Sequence, residues 1–233
     1  MMYKKIGLIG AMAEEIERIE ERLDNETVTE KAGILFKEGI FCGKPVVLCK
    51  SGVGKVNAAV CTQILIDRFG VDAILFTGVA GALDPSLDIG DIVISTDCQQ
   101  HDMDASPLGF ARGTIPFAES SVFRAEPALV SLAAEASASV TQGHTVQGRV
   151  LSGDQFIADR DTVKLLHEQF GGACTEMEGA AVAQVCAMNG TPFVIIRSMS
   201  DKADGSAHVN FTEFAAQSAD RSFRIIEHMV ENL

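Results

Sequence analysis

The segment from 175 to 181 concentrates the side chains best suited to chemistry, because Glu176 and Glu178 flank Met177 where a helix is predicted to begin. Residues two positions apart do not share a helix face, so we expect the two carboxylates to have different tasks. Carboxylates accept several hydrogen bonds and bind ribose hydroxyls well. Compensation of the helix dipole is the structural alternative, and it explains only one of the two acids comfortably.

A second group of polar side chains ends an apolar, β-branched run. The group consists of Arg197, Ser198, Ser200 and Asp201. Polar groups at the end of a buried strand are costly unless they are paired, so this pattern favours a functional site. Two other segments are less specific. Glu15 lies at the start of a helix, where the local pattern alone indicates that its charge compensates the helix dipole. Phe156 follows a polar turn, and an aromatic residue there is as often part of the hydrophobic core as a surface on which a base stacks.

Glycine-rich turns occur at two further strand ends. Gly52, Gly54 and Lys55 form a G-x-G-K turn before a helix, which suggests phosphate binding. The turn lacks the spacing of a P-loop and the hydroxyl that follows its lysine, so a tight packing turn is the favoured interpretation. Gly78 and Gly81 follow an apolar strand, where glycine lets a ligand approach the backbone.

Composition excludes several classes of protein. The net charge of −13 makes nucleic acid and anionic membranes poor partners. No apolar run reaches the roughly 20 residues that span a bilayer, and acidic residues follow the first apolar stretch too soon for a signal peptide. Six cysteines without CxxC spacing indicate a reducing compartment, hence the cytoplasm. His101, Asp102 and Asp104 form only a weak metal pattern, so we predict no metal site.

Periodicity and turn signals predict alternating strands and helices. Strands are predicted at residues 5–9, 34–41, 46–49, 73–77, 92–95, 146–152 and 193–198. Helices are predicted at residues 13–23, 55–69, 128–138, 161–170, 178–189 and 212–230. The stretch 97–121 is predicted to be a long irregular loop, which in a compact domain is usually either functional or disordered. This order predicts one α/β domain over residues 1–233, with a mixed sheet covered by helices and ligands bound beyond the strands' carboxyl ends.

The motifs, taken together, resemble the nucleoside phosphorylase/nucleosidase superfamily, and most closely the bacterial 5′-methylthioadenosine/S-adenosylhomocysteine nucleosidases. The motifs that carry the resemblance are IGAMAEE, KSGVGK, TGVAGAL, GDIVIS, SGDQFI, TEMEGAAVAQVC and IIRSMSD, in the family's order and spacing. The resemblance covers nearly the whole chain. It implies a three-layer α/β/α sandwich around a mixed central sheet, a homodimer, and cofactor-free hydrolysis that releases adenine and the 5′-thioribose, in methionine salvage and methyl-cycle product removal.

The resemblance also implies a role for each matching residue. Glu15 would activate water, and Asp201, oriented by Ser200, would protonate purine N7. Glu178 would bind the ribose hydroxyls with help from Met177, and Glu176 and Arg197 would lie close by. The purine and apolar walls would be formed by Phe156, Ile157, Met12, Val53, Val79 and Phe211. Phe110 and Pro116, in the long loop, would complete the 5′-thio pocket of the neighbouring subunit. In this mechanism Glu15 must be ionised while Asp201 delivers a proton, which requires opposite pKa tuning in one cleft.

The chain departs from the family pattern at two places. Val79 stands where family members commonly have serine, and the phosphorylases use a hydroxyl there to hold phosphate. Ala105, Leu108 and Phe110 stand where the family often has Val, Phe and Tyr, which makes the 5′ pocket more apolar and leaves its preferred substituent open. Three alternatives therefore remain: a phosphate-dependent purine nucleoside phosphorylase, a nucleosidase for 6-amino-6-deoxyfutalosine, and a catalytically silent nucleoside-binding protein.

Overall fold

A computed structural model describes residues 3–140, 143–203 and 207–233, without the side chains of 207–213, 215 and 216. The strands are β1 (Ile6–Gly10), β2 (Asp24–Lys31), β3 (Ile34–Phe41), β4 (Lys44–Lys50), β5 (Ala73–Ala82), β6 (Ile92–Gln100), β7 (Val122–Arg124), β8 (Thr145–Ser152), β9 (Gly172–Glu176) and β10 (Phe193–Asp201). The helices are α1 (Ala13–Glu20), α2 (Lys55–Phe69), α3 (Pro127–Val140), α4 (Arg160–Phe170), α5 (Gly179–Asn189) and α6 (Ala207–Asn232).

These strands form one mixed sheet, as the sequence predicts. The order is β10-β6-β8-β9-β5-β1-β4-β3-β2, with β7 beside β6. Strand β5 pairs with β1, β9 and β10, so β5, β9, β8, β6 and β10 close into a ring. Every residue of β5 and β10 is buried, and β5 and the first four residues of β10 are accordingly near-continuous apolar runs.

Helices cover the sheet in two groups. Helices α1, α3 and α6 pack together, and α6 lies against β10 and β5. Helices α2 and α5 pack together, and α5 lies against β6 and β8. The predicted three-layer α/β/α arrangement around a mixed sheet is therefore confirmed. None of the described helices combines the length and the hydropathy needed to cross a membrane.

The predicted elements differ from the structure mainly where a strand is polar or short. Strand β2 was not predicted because it is an exposed edge of alternating charges and threonines without an apolar face. Strand β9 was not predicted because it has only five residues and begins at Gly172, which the sequence indicates as part of the helix stop after α4. The predicted loop 97–121 is also too long at its start, since β6 continues to Gln100 before the irregular stretch begins.

Strand ends bring the distant motifs together. Strands β1, β4, β5 and β10 are parallel neighbours, so Gly10, Lys50, Ala82 and Asp201 end at the same edge of the sheet. Strands β8 and β9 are also parallel, and Ser152 is paired with Glu176 at their ends. The polar segments that follow these strands thus converge around one region, as expected for ligand sites in α/β sheets.

Candidate active site

A cavity of about 300 Å³ lies at these strand ends. Its described walls are Ala11, Met12, Glu15, Val53, Val79, Ala80, Gly81, Gln155, Phe156, Ile157, Thr175, Glu176, Met177, Glu178, Ser200 and Asp201. Eleven of the fifteen site residues predicted from the sequence belong to this set. The cavity is mainly apolar but carries four carboxylates, a combination suited to orienting a small polar-edged ligand.

Glu15 is fixed by three backbone donors that come from two parts of the chain. Its Oε2 accepts hydrogen bonds from the N–H of Ala11 (2.6 Å) and of Met12 (3.0 Å). Its Oε1 accepts one from the N–H of Val79 at 3.0 Å. A carboxylate has about four lone-pair sites, so one acceptor position remains for a further donor. Burial raises the pKa of Glu15, although Arg197 and the three N–H groups oppose this shift.

Asp201 ends β10 and is held by its neighbours in the chain. The Ser200 hydroxyl donates to Asp201 Oδ2 at 2.8 Å, and the Ala203 N–H donates to Oδ1 at 2.7 Å. Asp201 is only 3% exposed, and its accessible part faces the cavity. The orienting contact between Ser200 and Asp201 that the resemblance implies is therefore present in the structure.

Glu176 serves mainly to organise the start of α5. Its carboxylate accepts the N–H of Gly179 at 2.8 Å and binds Arg197 Nη2 at 2.7 Å. The Ser152 hydroxyl donates to it as well, and the same hydroxyl accepts the N–H of Ala180. Arg197 is fully buried over the Phe76 ring and is not among the described cavity walls. The Arg197 guanidinium forms an ion pair with Glu176, and its charge lowers the pKa of Glu15. Arg197 therefore affects the cavity through these two carboxylates rather than by direct contact.

The carboxyl group of Glu178 lines the cavity and binds its proton more tightly than an ordinary glutamate does. Its Oε1 accepts the Gly54 N–H at 2.7 Å. Burial and then the neighbouring Glu176 charge raise the pKa of Glu178 to about 8. The two acids that flank Met177 therefore differ in their contacts, since Glu176 forms a buried ion pair with Arg197 and Glu178 presents to the cavity a carboxyl group that can be neutral.

Replacing Glu178 with glutamine should flatten the pH dependence of folding stability. The raised pKa means that folded protein holds a proton which unfolded protein releases above about pH 4.5. The corresponding stability is complete below that pH and is lost as pH rises towards about 8. We expect the free energy of unfolding of the unmodified protein to fall with pH more steeply than that of Glu178→Gln, by up to about 1.4 kcal/mol per unit. Urea unfolding between about pH 5.5 and 7.5 measures the difference.

Glu14 supplies the matched control for this measurement. It is an exposed acid in the first turn of α1, so Glu14→Gln should keep the slope of the unmodified protein. Parallel slopes for the unmodified protein and Glu178→Gln would contradict the raised pKa.

The apolar walls contain most of the predicted binding residues and several that the sequence did not reveal. Phe156 and Val53 are each half-exposed at the cavity mouth, whereas Ile157 and Val79 are buried. Thr175 was missed, although it directly precedes Glu176 in the motif. Its hydroxyl has no hydrogen-bond partner among the described residues, so it is available to a ligand in the cavity.

Besides Arg197, two predicted binding residues are not among the described walls of the cavity in the single chain. Phe110 packs edge-on against Phe117, 5.5 Å between ring centroids, and neither Phe110 nor Pro116 belongs to the described walls. The family resemblance assigns both residues to the pocket of a neighbouring subunit. The side chain of Phe211 lies outside the described residues.

Known proteins resemble the chain in sequence and in structure. The model of the phosphorylase superfamily matches residues 5–231. A 5′-methylthioadenosine/S-adenosylhomocysteine nucleosidase from Bacillus pumilus is 41% identical over 228 residues, which are 97% of this chain and 98% of the relative. The Neisseria meningitidis nucleosidase, solved in complex with methylthio-immucillin-A, is 37% identical with a TM-score of 0.94, covering 99% of this chain and 100% of the other.

A futalosine hydrolase from Helicobacter pylori is similar as well, with 35% identity and a TM-score of 0.94 over 99% of this chain and 98% of the other. Proteins named for these two activities thus share the fold of this chain. Since the nucleosidase relatives match at about 40% identity over their full length, the chain belongs to the 5′-methylthioadenosine/S-adenosylhomocysteine nucleosidase family of the phosphorylase superfamily.

Proposed function

We propose that the protein hydrolyses the N-glycosidic bond of 5′-methylthioadenosine and S-adenosylhomocysteine, releasing adenine and the 5′-thioribose. The observation that carries the proposal is the meeting of Glu15, Glu178 and the Ser200-held Asp201 around one largely apolar cavity. Family membership supports the same substrates.

Each carboxyl group has a separate part in this reaction. Asp201 transfers a proton to purine N7, which makes adenine a leaving group as the bond between C1′ and N9 breaks. Water attacks C1′ while the acceptor position left on Glu15 takes the water's proton, and solvent exchange then restores both acids. The ribosyl cation that develops is stabilised by nearby negative charge. Glu178 uses the oxygen that does not bind Gly54 to hold the ribose hydroxyls.

The described walls favour hydrolysis over phosphorolysis. They contain four carboxylates and no lysine or arginine, so a phosphate ion would meet repulsion without a counter-charge. Val79 supplies only its backbone N–H at this place, and that N–H is already bound to Glu15. Val79 therefore offers phosphate no hydroxyl, and the described walls offer it no cation.

The test is adenine release from 5′-methylthioadenosine, followed by ultraviolet absorbance without and with added phosphate. We expect the same rate in both buffers and free methylthioribose as the second product. Release that requires phosphate would identify a phosphorylase, and a stoichiometric complex without turnover would identify a binding protein. Similarity to a futalosine hydrolase supports 6-amino-6-deoxyfutalosine as a second candidate substrate, to be ranked by kcat/KM in the same assay.

The proposal extends to the assembly and setting of the enzyme. We propose a homodimer in which Phe110 and Pro116 reach the partner's 5′ pocket, because Leu108 (72%) and Phe117 (92%) expose large apolar surfaces in the same loop. Sedimentation should give the mass of a dimer, and a fully active monomer would contradict this.

We further propose that residues 1–233 act as one cytoplasmic nucleosidase domain in methionine salvage. The six free cysteines support a reducing compartment.

A further inference from the structure

An ion pair connects the G-x-G-K turn with the H-D-x-D string, two sequence patterns to which the proposed reaction assigns no role. Lys55, from the G-x-G-K turn, lies 2.6 Å from Asp102 of the H-D-x-D string, measured from Nζ to Oδ1. The Lys55 ammonium also donates to Gln100 Oε1 at 3.0 Å. The two charged side chains are only 17% and 15% exposed, so solvent screens this ion pair less than a surface pair.

A third segment closes this arrangement. Asp102 Oδ2 accepts the N–H of Asp154 at 3.0 Å, and Asp154 Oδ1 accepts the N–H of Lys55 at 2.8 Å. We call these three residues the clamp. It joins the start of α2, the chain after β6 and the turn after β8. The turn approaches so closely that a Cβ on Gly153 would lie 2.5 Å from the His101 ring and 3.1 Å from the Asp102 carboxyl carbon.

The clamp residues adjoin two walls of the cavity along the chain without being among the described walls themselves. Val53 precedes Lys55 by two residues, and Phe156 follows Asp154 by two. Between Val53 and Lys55, the Gly54 N–H donates to Glu178 Oε1. The clamp therefore links the spacing of Val53 and Phe156 to the orientation of the Glu178 carboxyl group.

Other interpretations of these residues fit less well. A phosphate ion would need the Lys55 ammonium and the N–H groups of Gly54 and Lys55, and all three are bound to acceptors within the protein. A metal ion would need the Asp102 carboxylate, whose two oxygens each accept a hydrogen bond. Burial alone would raise the pKa of Asp102, but the Lys55 hydrogen bond, the Asp154 N–H and the Lys55 charge lower it below its usual value.

We propose that Lys55 and Asp102, with Asp154 as their link to the Phe156 turn, are positioning residues that set the spacing of the walls enclosing the nucleoside. This inference rests on the proposed function. The walls contact the nucleoside in the ground state and the transition state alike, so loosening them weakens both complexes equally. The effect should therefore fall on KM more than on kcat.

The test uses Lys55→Met, Asp102→Asn and the double variant with 5′-methylthioadenosine. We expect each single variant to raise KM about tenfold and to change kcat by less than about threefold. The double variant should raise KM no further than the worse single variant, because both changes break one interaction. Adenine affinity, measured by calorimetry, should fall in parallel with the rise in KM.

Lys5→Met is the control, because Lys5 forms a more exposed lysine–carboxylate ion pair with Glu38 at 3.1 Å on the β1–β3 side of the sheet, away from the cavity walls. It should leave KM and adenine affinity unchanged whatever it does to the melting temperature. Clamp variants that melt earlier but keep both KM and adenine affinity would overturn the inference and leave the proposed function intact. Adenine binding that weakens as expected, in an enzyme that does not release adenine from the substrate, would support the clamp and overturn the proposed function. A protein with neither turnover nor adenine binding would overturn both.

Discussion

Replacing Asp201 with asparagine should lower kcat at least about 100-fold, because the amide cannot deliver a proton to purine N7. The substitution is mild for the fold, since the asparagine oxygen can still accept the Ala203 N–H that now binds Oδ1. Adenine release under saturating 5′-methylthioadenosine measures the effect. Substrate binding should persist, so KM should change much less than kcat.

Two comparisons isolate the Asp201 effect. Ser200→Ala removes the hydroxyl that donates to Oδ2, and it should lower kcat less than Asp201→Asn because the acid itself remains. Asp161→Asn changes an exposed aspartate at the start of α4 and should leave turnover unchanged. Near-normal turnover in a folded Asp201→Asn protein would refute the assignment of Asp201 as the acid.

The sequence revealed the candidate carboxylates but not how each is held. From its local pattern, Glu15 reads as dipole compensation at a helix start. In the structure its two oxygens bind the turn before α1 and the N–H of Val79, which is 64 residues away. A contact between distant strand ends leaves no local pattern, so only the family resemblance pointed to Glu15. The polar run at the end of β10 could be interpreted without the resemblance, because polar groups that end a buried strand need partners.

Glycines near the cavity show a second limit of sequence interpretation. Gly78 and Gly81 were predicted to let a ligand approach the backbone. A Cβ on Gly78 would lie 2.6 Å from Glu15 Oε1, and one on Gly81 would lie 2.9 Å from Asp201 Oδ1. These glycines therefore leave room for the enzyme's own carboxylates. A glycine at a strand end is consistent both with room for a ligand and with room for the protein's own side chains. Only the distances from these glycines to Glu15 and Asp201 distinguish the two explanations.

The sequence also did not predict that β5 pairs with β10, and this pairing explains how Glu15 and Asp201 reach one cavity. Strand β5 is parallel to both β1 and β10. Its end therefore lies between Glu15, which follows β1, and Asp201, which ends β10. Alternating strands and helices predicted a mixed sheet, but the neighbours of each strand depend on pairings made across the whole chain. Residues 78–81 thus form the shared floor beneath both acids.

Glu15→Gln should lower kcat at least about 100-fold, because an amide cannot take the proton of the attacking water. The variant also carries a folding cost. Both carboxylate oxygens of Glu15 accept backbone N–H groups, so the glutamine NH₂ must face at least one donor. A buried donor left without an acceptor costs about 1–3 kcal/mol, which should lower the melting temperature. Activity must therefore be measured well below that temperature and normalised to folded protein.

Glu14→Gln separates the chemical role of Glu15 from charge in the first turn of α1. Glu14 is exposed and adjacent in sequence, so its substitution changes the helix terminus by the same charge without touching the cavity. We expect near-normal kcat for Glu14→Gln and loss of turnover for Glu15→Gln, with 5′-methylthioadenosine still bound by both. If Glu15→Gln instead bound the substrate and hydrolysed it at the unmodified rate, water would be activated elsewhere. The Glu15 carboxylate would then serve only to join β5 to the start of α1 through its three backbone hydrogen bonds.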